Sequence, residues 1–191
     1  MSYLLNALTF LVDLVFGAVA TLFLLRLLAE ATRADFNNPL SQFLYRYTNP
    51  VLAPLRRVLP NWRRINLSCV LLLWVLMLLQ RVVIFALYGQ LPDLLGLLVL
   101  ALADLLDFVL LTYLVLIFIW SLLSLFPVDQ RHPALRLVGS LVAPVLRPLR
   151  GKLVAGGLDF SPWIVVIVLV LVRILVAAPL TALGVQLALG H

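Results

Sequence analysis

A nineteen-residue stretch occurs twice in this chain, and the second copy begins 94 residues after the first. The first copy, residues 38–56, reads NPLSQFLYRYTNPVLAPLR, and the second, residues 132–150, reads HPALRLVGSLVAPVLRPLR. Seven of the nineteen positions are identical without a gap. An internal repeat constrains the architecture strongly, because each copy is expected to fold as the same unit. The recurring prolines are Pro39, Pro50 and Pro54 in the first copy and Pro133, Pro144 and Pro148 in the second.

Each copy lies between two apolar runs that are long enough to cross a membrane. The chain is 64% hydrophobic and 12% charged, whereas a soluble domain is roughly 45–50% apolar. A spanning helix needs about 20 apolar residues, so the sequence predicts an all-α membrane protein with four transmembrane helices. These form two parallel repeats, each a helix, an amphipathic connector and a helix. We place the first repeat at 1–92 (spans about 4–28 and 67–88, connector 31–66) and the second at 93–191 (spans about 98–124 and 162–188, connector 127–160).

The distribution of basic residues predicts the orientation of the chain. Eleven of the 14 Lys and Arg residues lie in the two connectors, and the tails and the turn at 89–93 contain none. The positive-inside rule therefore places both connectors in the cytoplasm and both termini outside. We expect no cleavable signal peptide, because the first apolar run is longer than a signal core. The basic excess is explained by topology, so we predict no nucleic-acid partner.

Both connectors carry an apolar stripe with helical spacing. Such a stripe predicts a short helix that lies in the membrane interface. We also expect a kink or an irregular turn at Pro50–Pro54 and at Pro144–Pro148, because a proline ring clashes with the carbonyl four residues earlier. The stripe consists of Leu40, Phe43, Leu44 and Tyr47 in the first copy and of Ala134, Leu137, Val138 and Leu141 in the second.

The connector arginines have two interpretations. They bind anionic lipid or an acidic partner, since a cation near the cytoplasmic leaflet gains on the order of 1 kcal/mol, or they serve topology alone. Topology needs cations but does not need a repeated Pro-Leu-Arg, so we keep both interpretations. The candidate lipid- or partner-binding residues are Arg56, Arg57, Arg63, Arg64, Arg147 and Arg150.

Charged residues also occur within the predicted spans. Asp13 and Asp107 are 94 residues apart and hold the same repeat position, and Arg81 and Arg173 are within one residue of equivalence. Isolated charges inside a membrane are costly, so we expect Asp13 and Asp107 each to pair with one of the arginines. The favoured interpretation is structural ion pairs between helices, and the alternative is a polar site for an ion or proton. We expect Asp104 to be left without an ionic partner.

The connector motifs resemble those of the YggT/YlmG family of small membrane proteins. The resemblance rests on DFNNPLSQF at 35–43, PVLAPLRRVLP at 50–60 and LDFSP at 158–162, and it covers nearly the whole chain as two family units. Asn66 stands where the family usually has Asp, and Trp62-Arg63-Arg64 replaces a more Gly-like stretch that Gly156-Gly157 keeps.

The resemblance implies a bacterial inner-membrane protein with an accessory role. Bacterial members are linked with osmotic tolerance and ion uptake, and plastid members with haem attachment and membrane organisation.

The chain has two histidines, His132 and His191, and neither has a partner at ligand spacing. We therefore predict no enzymatic activity, no cofactor and no metal site.

Two functions remain. The first is a scaffold or assembly factor whose basic connectors bind anionic lipid headgroups, a membrane-protein partner or a second copy of the chain. The second is an ion-handling protein that uses the intramembrane Asp and Arg residues, as an oligomer.

Overall fold

The computed structural model describes residues 2–57, 59, 65–124, 132–149, 154–155 and 158–190. Seven α-helices account for most of this part of the chain. They are α1 (Ser2–Thr32), α2 (Pro39–Leu55), α3 (Leu67–Leu87), α4 (Leu94–Ser124), α5 (Pro133–Leu146), α6 (Ser161–Val172) and α7 (Ala178–Leu189). A π-helical turn, Arg173–Ala177, joins α6 to α7, and two short antiparallel strands, β1 (Val154–Ala155) and β2 (Leu158–Asp159), precede α6.

Within the described residues, four helices are long and apolar enough to cross a membrane, which confirms the predicted all-α class and span number. They are α1, α3, α4 and the continuous fourth span formed by α6, the π turn and α7. The 31-residue helix α1 is about 46 Å long at about 1.5 Å per residue. A hydrocarbon core is about 30 Å thick, so the ends of α1 extend into the interfacial regions.

The spans pack in the order in which they occur in the chain. Helix α1 packs on α3, α3 on α4, and α4 on the fourth span. The connector helices lie together at one end of this row: α2 contacts α1 and α3, α5 contacts α1, α4 and α6, and the two connector helices touch each other. Asn38 Nδ2 donates to the Pro133 carbonyl at 2.6 Å, which joins the starts of the two connector helices.

The closest helix contact lies between α4 and α7. A Cβ at Gly96 would come within 2.1 Å of the backbone nitrogen of Ala188, and one at Gly184 would come within 3.0 Å of the Leu100 nitrogen. Small residues allow this approach, and dispersion between close backbones is a main source of helix association in lipid.

Helix α4 begins four residues before the expected start of the third span. The Asp93 carboxylate accepts the Leu95 amide hydrogen at 2.8 Å and so satisfies a free donor of the first turn. The helix therefore begins at Leu94 rather than at Leu98. The apolar residues after the turn join the span.

The irregular turn expected at Pro50–Pro54 is wrong, because the first connector helix continues through both prolines, whereas the second connector helix ends between Pro144 and Pro148 and a turn follows. Helix α2 includes both Pro50 and Pro54, and α5 includes Pro144 and ends before Pro148. Pro50 and Pro54 lie one turn apart on the exposed face of α2. Each removes one N–H group, and the carbonyl that loses its partner faces the outside, where water or headgroups can replace it.

The π turn in the fourth span has a local cause in the sequence. Pro179 cannot donate a backbone hydrogen bond, and the amide of Ala178 bonds five residues back, to the Arg173 carbonyl. The widened turn accommodates the proline ring, in the way that π-bulges relieve a helix. Its first residue is the charged Arg173.

Candidate functional site

A buried polar cluster joins the end of α1 to α2 and to the start of α3. Its centre is Glu30, the only glutamate of the chain. Glu30 Oε1 accepts hydrogen bonds from Arg26 (2.7 Å), from the Tyr45 hydroxyl (2.9 Å) and from Arg56 (2.5 Å). Glu30 Oε2 accepts one from Asn66 Nδ2 at 2.9 Å. One carboxylate therefore holds three helices together, and we call this group the Glu30 cluster.

Arg26 is the other central member of the Glu30 cluster. Its side chain is fully buried, and its guanidinium lies 3.1 Å from the centre of the Tyr45 ring. The remaining nitrogen, Nη1, donates to the Thr48 hydroxyl at 3.3 Å. A buried cation is tolerated because it has an anion, a hydroxyl and an aromatic face around it.

Tyr45 lies in the connector and acts as a donor in this cluster. Burial, and then the hydrogen bond to the Glu30 carboxylate, raise the pKa of Tyr45 above its ordinary value. The phenol therefore stays protonated and keeps its hydrogen bond to Glu30 across the physiological range.

The second repeat has apolar residues at the positions equivalent to Arg26, Tyr45 and Thr48. Trp120 stands where the first repeat has Arg26, and Gly139 stands where it has Tyr45. A Cβ at Gly139 would lie 2.8 Å from the Trp120 ring, so the indole takes the room that the tyrosine occupies in the first copy. Val142, which is buried, replaces Thr48. At these three described positions, polar contacts of the first connector are thus replaced by apolar packing in the second.

Arg26 and Glu30 were not among the residues predicted from the sequence. A signal was present, since the only glutamate follows an arginine by four residues at the end of an apolar run, which is the spacing of a helical ion pair. Asn66 caps α3 by accepting the Cys69 amide hydrogen at 3.2 Å, and it also donates to Glu30.

Arg56, one of the candidate lipid- or partner-binding arginines, has an acidic partner within the chain. Its guanidinium turns towards α1, because Glu30 offers a carboxylate there, and only 29% of the side chain is exposed. Arg57 and Arg147 are exposed, as expected for cations that can meet headgroups, and Arg46 is also exposed. Arg63, Arg64 and Arg150 lie outside the described residues.

The intramembrane charges pair differently from the expectation. Arg173 pairs with Asp107 at 2.6 Å, which is one of the expected combinations. Arg81 pairs with Asp104 at 2.5 Å, so Asp104 is not the unpaired acid. Asp13 accepts a hydrogen bond from the neutral amide of Gln80 at 2.8 Å instead of pairing directly with an arginine.

The reason is a one-residue offset between the repeats. The first connector is one residue longer than the second between the nineteen-residue stretch and the next span, so Gln80, not Arg81, is the equivalent of Arg173. The contact between the first and second span is therefore the same in both repeats, with glutamine in place of arginine. Arg81, one residue later, points to α4, where Asp104 lies one turn from Asp107 on the same face.

The pair of Arg81 and Asp104 joins the two repeats, and we expect it to be structural. Replacing Asp104 with alanine should destabilise the protein more than replacing both residues, because the single change leaves a partly buried cation without an anion. The measurement is thermal unfolding in detergent of Asp104→Ala, Arg81→Ala and the double variant. Additive losses in the double variant would contradict a direct pair.

Helix α2 presents three distinct faces. Leu44, Thr48 and Leu52 are buried against the spans. A second face is apolar and exposed, and a third, on the far side, is polar and also exposed. The apolar exposed face consists of Leu40, Phe43, Tyr47 and Val51. The polar face consists of Gln42, Arg46 and Asn49.

Among the described residues, no group of three or more His, Cys, Asp and Glu side chains could hold a metal ion. His132 is exposed at the start of α5, where its Nδ1 accepts the Ala134 amide hydrogen at 3.3 Å. His191 lies outside the described residues.

The fold and these sites define a multi-pass membrane protein built from two helix–connector–helix repeats. Two separate matches to the sequence model of the CCB3/YggT family, at residues 5–87 and 99–180, cover both repeats. The chain belongs to the CCB3/YggT family.

Its relatives are bacterial proteins without an assigned activity. The chain is 35% identical to the uncharacterised protein YggT of Escherichia coli K12 over 190 residues, which is 97% of each chain. It is 32% identical to an uncharacterised Pseudomonas aeruginosa protein over 163 residues, 84% of this chain and 83% of the relative. An uncharacterised protein of Haemophilus influenzae is 32% identical over 151 residues, 78% of this chain and 80% of the relative. No solved structure matches the chain.

Proposed function

We propose that the protein is a non-enzymatic accessory or scaffold protein of the bacterial inner membrane, and that its first connector helix binds the anionic inner surface of that membrane. In this proposal, both connectors are cytoplasmic and both termini are periplasmic. One observation carries the proposal: the apolar face of α2 stays uncovered although another face of the same helix is packed against the spans.

The arrangement of faces on α2 suits a helix in the membrane interface. The exposed apolar face can enter the boundary between headgroups and acyl chains, while the polar face of Gln42, Arg46 and Asn49 remains towards water. The Glu30 cluster supports this role, because it fixes α2 to the end of a spanning helix. Aromatic side chains such as Tyr47 favour this depth, since their rings are amphipathic.

The ion-handling alternative has less support. Of the residues that it would use, Arg81 pairs with Asp104 at 2.5 Å and Arg173 with Asp107 at 2.6 Å, and only Asp13 has a neutral partner, Gln80, among the described contacts. Such pairs are suited to joining helices, and a permeating ion would have to break them.

Labels on opposite faces of α2 test the interfacial position. In a Cys69→Ser background, an environment-sensitive NBD probe at Tyr47→Cys is expected to show blue-shifted emission and quenching by nitroxide lipids in nanodiscs. The same probe at Asn49→Cys, two residues away on the opposite face, is the matched control and should show neither.

The Asn49→Cys variant also serves to measure the orientation of the protein in the membrane. A membrane-impermeant thiol reagent should reach Asn49→Cys only from the cytoplasmic side, and Gln90→Cys only from the periplasmic side. Equal spectra at the two labelled positions would contradict the interfacial helix. Labelling with the opposite sidedness would contradict the orientation.

The exposed arginines are expected to select anionic lipid. Removing two cations with Arg46→Gln and Arg57→Gln should weaken anionic-lipid retention by up to about 30-fold, if each contributes about 1 kcal/mol. Native mass spectrometry of protein extracted from mixed phosphatidylglycerol and phosphatidylethanolamine bilayers measures this, and added salt should reduce the difference.

Arg136→Gln is the control for lipid retention, because Arg136 is already paired with Asp35 at 2.8 Å. It should retain lipid like the unaltered protein. Unchanged retention in the Arg46 and Arg57 double variant would mean that these cations serve topology alone.

A further inference from the structure

The contact between α3 and α4 has two equivalent surfaces in the repeat, and both of these surfaces lack a neighbouring span. Inside the chain, the second span of the first repeat, α3, packs against the first span of the second repeat, α4. The equivalent surfaces at the ends of the row belong to α1 and to the fourth span. In the described residues, α1 packs on only one neighbouring span, α3, and the fourth span only on α4.

Equivalent positions differ in exposure in the way that a missing neighbour predicts. Leu97 of α4 is 8% exposed, whereas its equivalent in α1, Tyr3, is 89% exposed. Met77 of α3 is 4% exposed, whereas its equivalent in the fourth span, Val170, is 38% exposed. Surfaces that are covered in the middle of the row are thus open at both ends.

The ion pair at the centre of the internal contact has apolar residues as its equivalents on the two open surfaces. Arg81 and Asp104 pair across α3 and α4. The equivalent of Asp104 in α1 is Phe10, which is 64% exposed, and the equivalent of Arg81 in the fourth span is Ile174, which is 58% exposed. Both members of the ion pair are replaced by large apolar side chains, so a contact between the two open surfaces would leave no unpaired charge at this position.

Lipid alone is a poor cover for the open surface of α1. Asp13 lies one turn from Phe10, is exposed, and has only the neutral Gln80 amide as a hydrogen-bond partner among the described contacts. Arg81 attracts Asp13 electrostatically, but its guanidinium is bound to Asp104. A carboxyl group that faces hydrocarbon is costly, and such groups normally face protein or water.

We infer that a second copy of this chain covers these surfaces, with the open face of α1 in one protomer packed on the open face of the fourth span in its partner. This contact repeats the internal contact of α3 with α4, and it has Phe10 and Ile174 at its centre. The contact is heterologous, so two chains can close into a ring of four repeats when both ends of each chain are used. This inference does not depend on the proposed lipid-binding function.

Cross-linking between two differently tagged chains tests the inference. One chain carries Phe10→Cys and the other Ile174→Cys, both in a Cys69→Ser background, so that no link within a chain is possible. A short bis-maleimide applied to native membranes should give a product that contains both tags. The control replaces Ile174→Cys by Leu102→Cys, a lipid-facing residue of α4 that is 52% exposed. Absence of the mixed product, or equal linking to the control position, would overturn the inference.

A charge exchange provides a second test. Phe10→Asp and Ile174→Arg copy the ion pair of α3 and α4 onto the proposed contact. When both tagged chains carry the same single change, co-purification of the two tags should fall at least tenfold, because both contacts of the ring are then altered. Joint expression of a Phe10→Asp chain with an Ile174→Arg chain should restore it, because each charge then has a partner. Failure to restore it, in chains that are present in the membrane at normal amounts, would also overturn the inference.

Discussion

Replacing Glu30 with alanine should lower the free energy of unfolding by about 3–5 kcal/mol, because it leaves the fully buried Arg26 without its anion. The connector helix α2 should also loosen, since Tyr45 and Arg56 lose the acceptor that ties them to α1. For a chain of this size, the melting temperature should fall by roughly 6–20 °C. Thermal unfolding in detergent and hydrogen exchange of the α2 amides measure the two effects.

The matched control for Glu30 is an exposed ion pair in the same region. Asp35 pairs with Arg136 at 2.8 Å, and the side chains are 37% and 57% exposed, respectively. Asp35→Ala should therefore cost no more than about 1 kcal/mol. Arg26→Leu combined with Glu30→Ala should cost less than the sum of the single changes, because the double change leaves no buried cation at position 26. A loss equal to the sum would contradict the direct coupling.

Gly96→Val should separate α4 from α7, with a loss of about 3 kcal/mol or more. The new Cβ would meet the Ala188 backbone at 2.1 Å, and a backbone atom cannot move away by changing a rotamer. Helix association in lipid depends on such close packing, so the loss is not compensated by burying the added methyl groups. Thermal unfolding in detergent is again the measurement.

Valine at two other glycines should destabilise the protein less than valine at Gly96. At Gly184 the nearest atoms belong largely to the Leu100 side chain, at 2.9 Å, so part of the clash can relax and the loss should be smaller. At Gly17 nothing lies within 4 Å of the place that a Cβ would take, and Gly17→Val should be nearly neutral. Equal losses at positions 17 and 96 would show that the effect comes from helix propensity rather than from packing.

The two connector helices, α2 and α5, differ in their contacts with the spans and in the exposure of their apolar side chains. In the first repeat, α2 is joined to α1 through the Glu30 cluster, and in the second, Trp120 packs at Gly139 of α5. One apolar face of α2 is exposed, whereas α5 buries Leu135, Leu137, Leu141, Val142 and Leu146. Large exposed apolar side chains therefore occur on α2 and are absent from the described side chains of α5.

The sequence by itself determined the number of spans, the repeat and a helix in each connector. These features depend on local composition and periodicity, because about 20 apolar residues cross a membrane whatever their neighbours are. The same local information indicated that the intramembrane charges need partners. The distribution of arginine predicts that both connectors are cytoplasmic.

Only the tertiary structure decided which charges meet. Asp104 was expected to be unpaired and Arg56 was a candidate for binding lipid or a partner, but the offset that aligns Gln80 with Arg173 directs Arg81 to Asp104, and Arg56 pairs with Glu30. A helix places side chains at 100° intervals, so a shift of one residue redirects a charge to a different neighbour. Span identity survives such a shift because hydrophobicity is summed over a whole segment, whereas an ion pair depends on the position of single atoms.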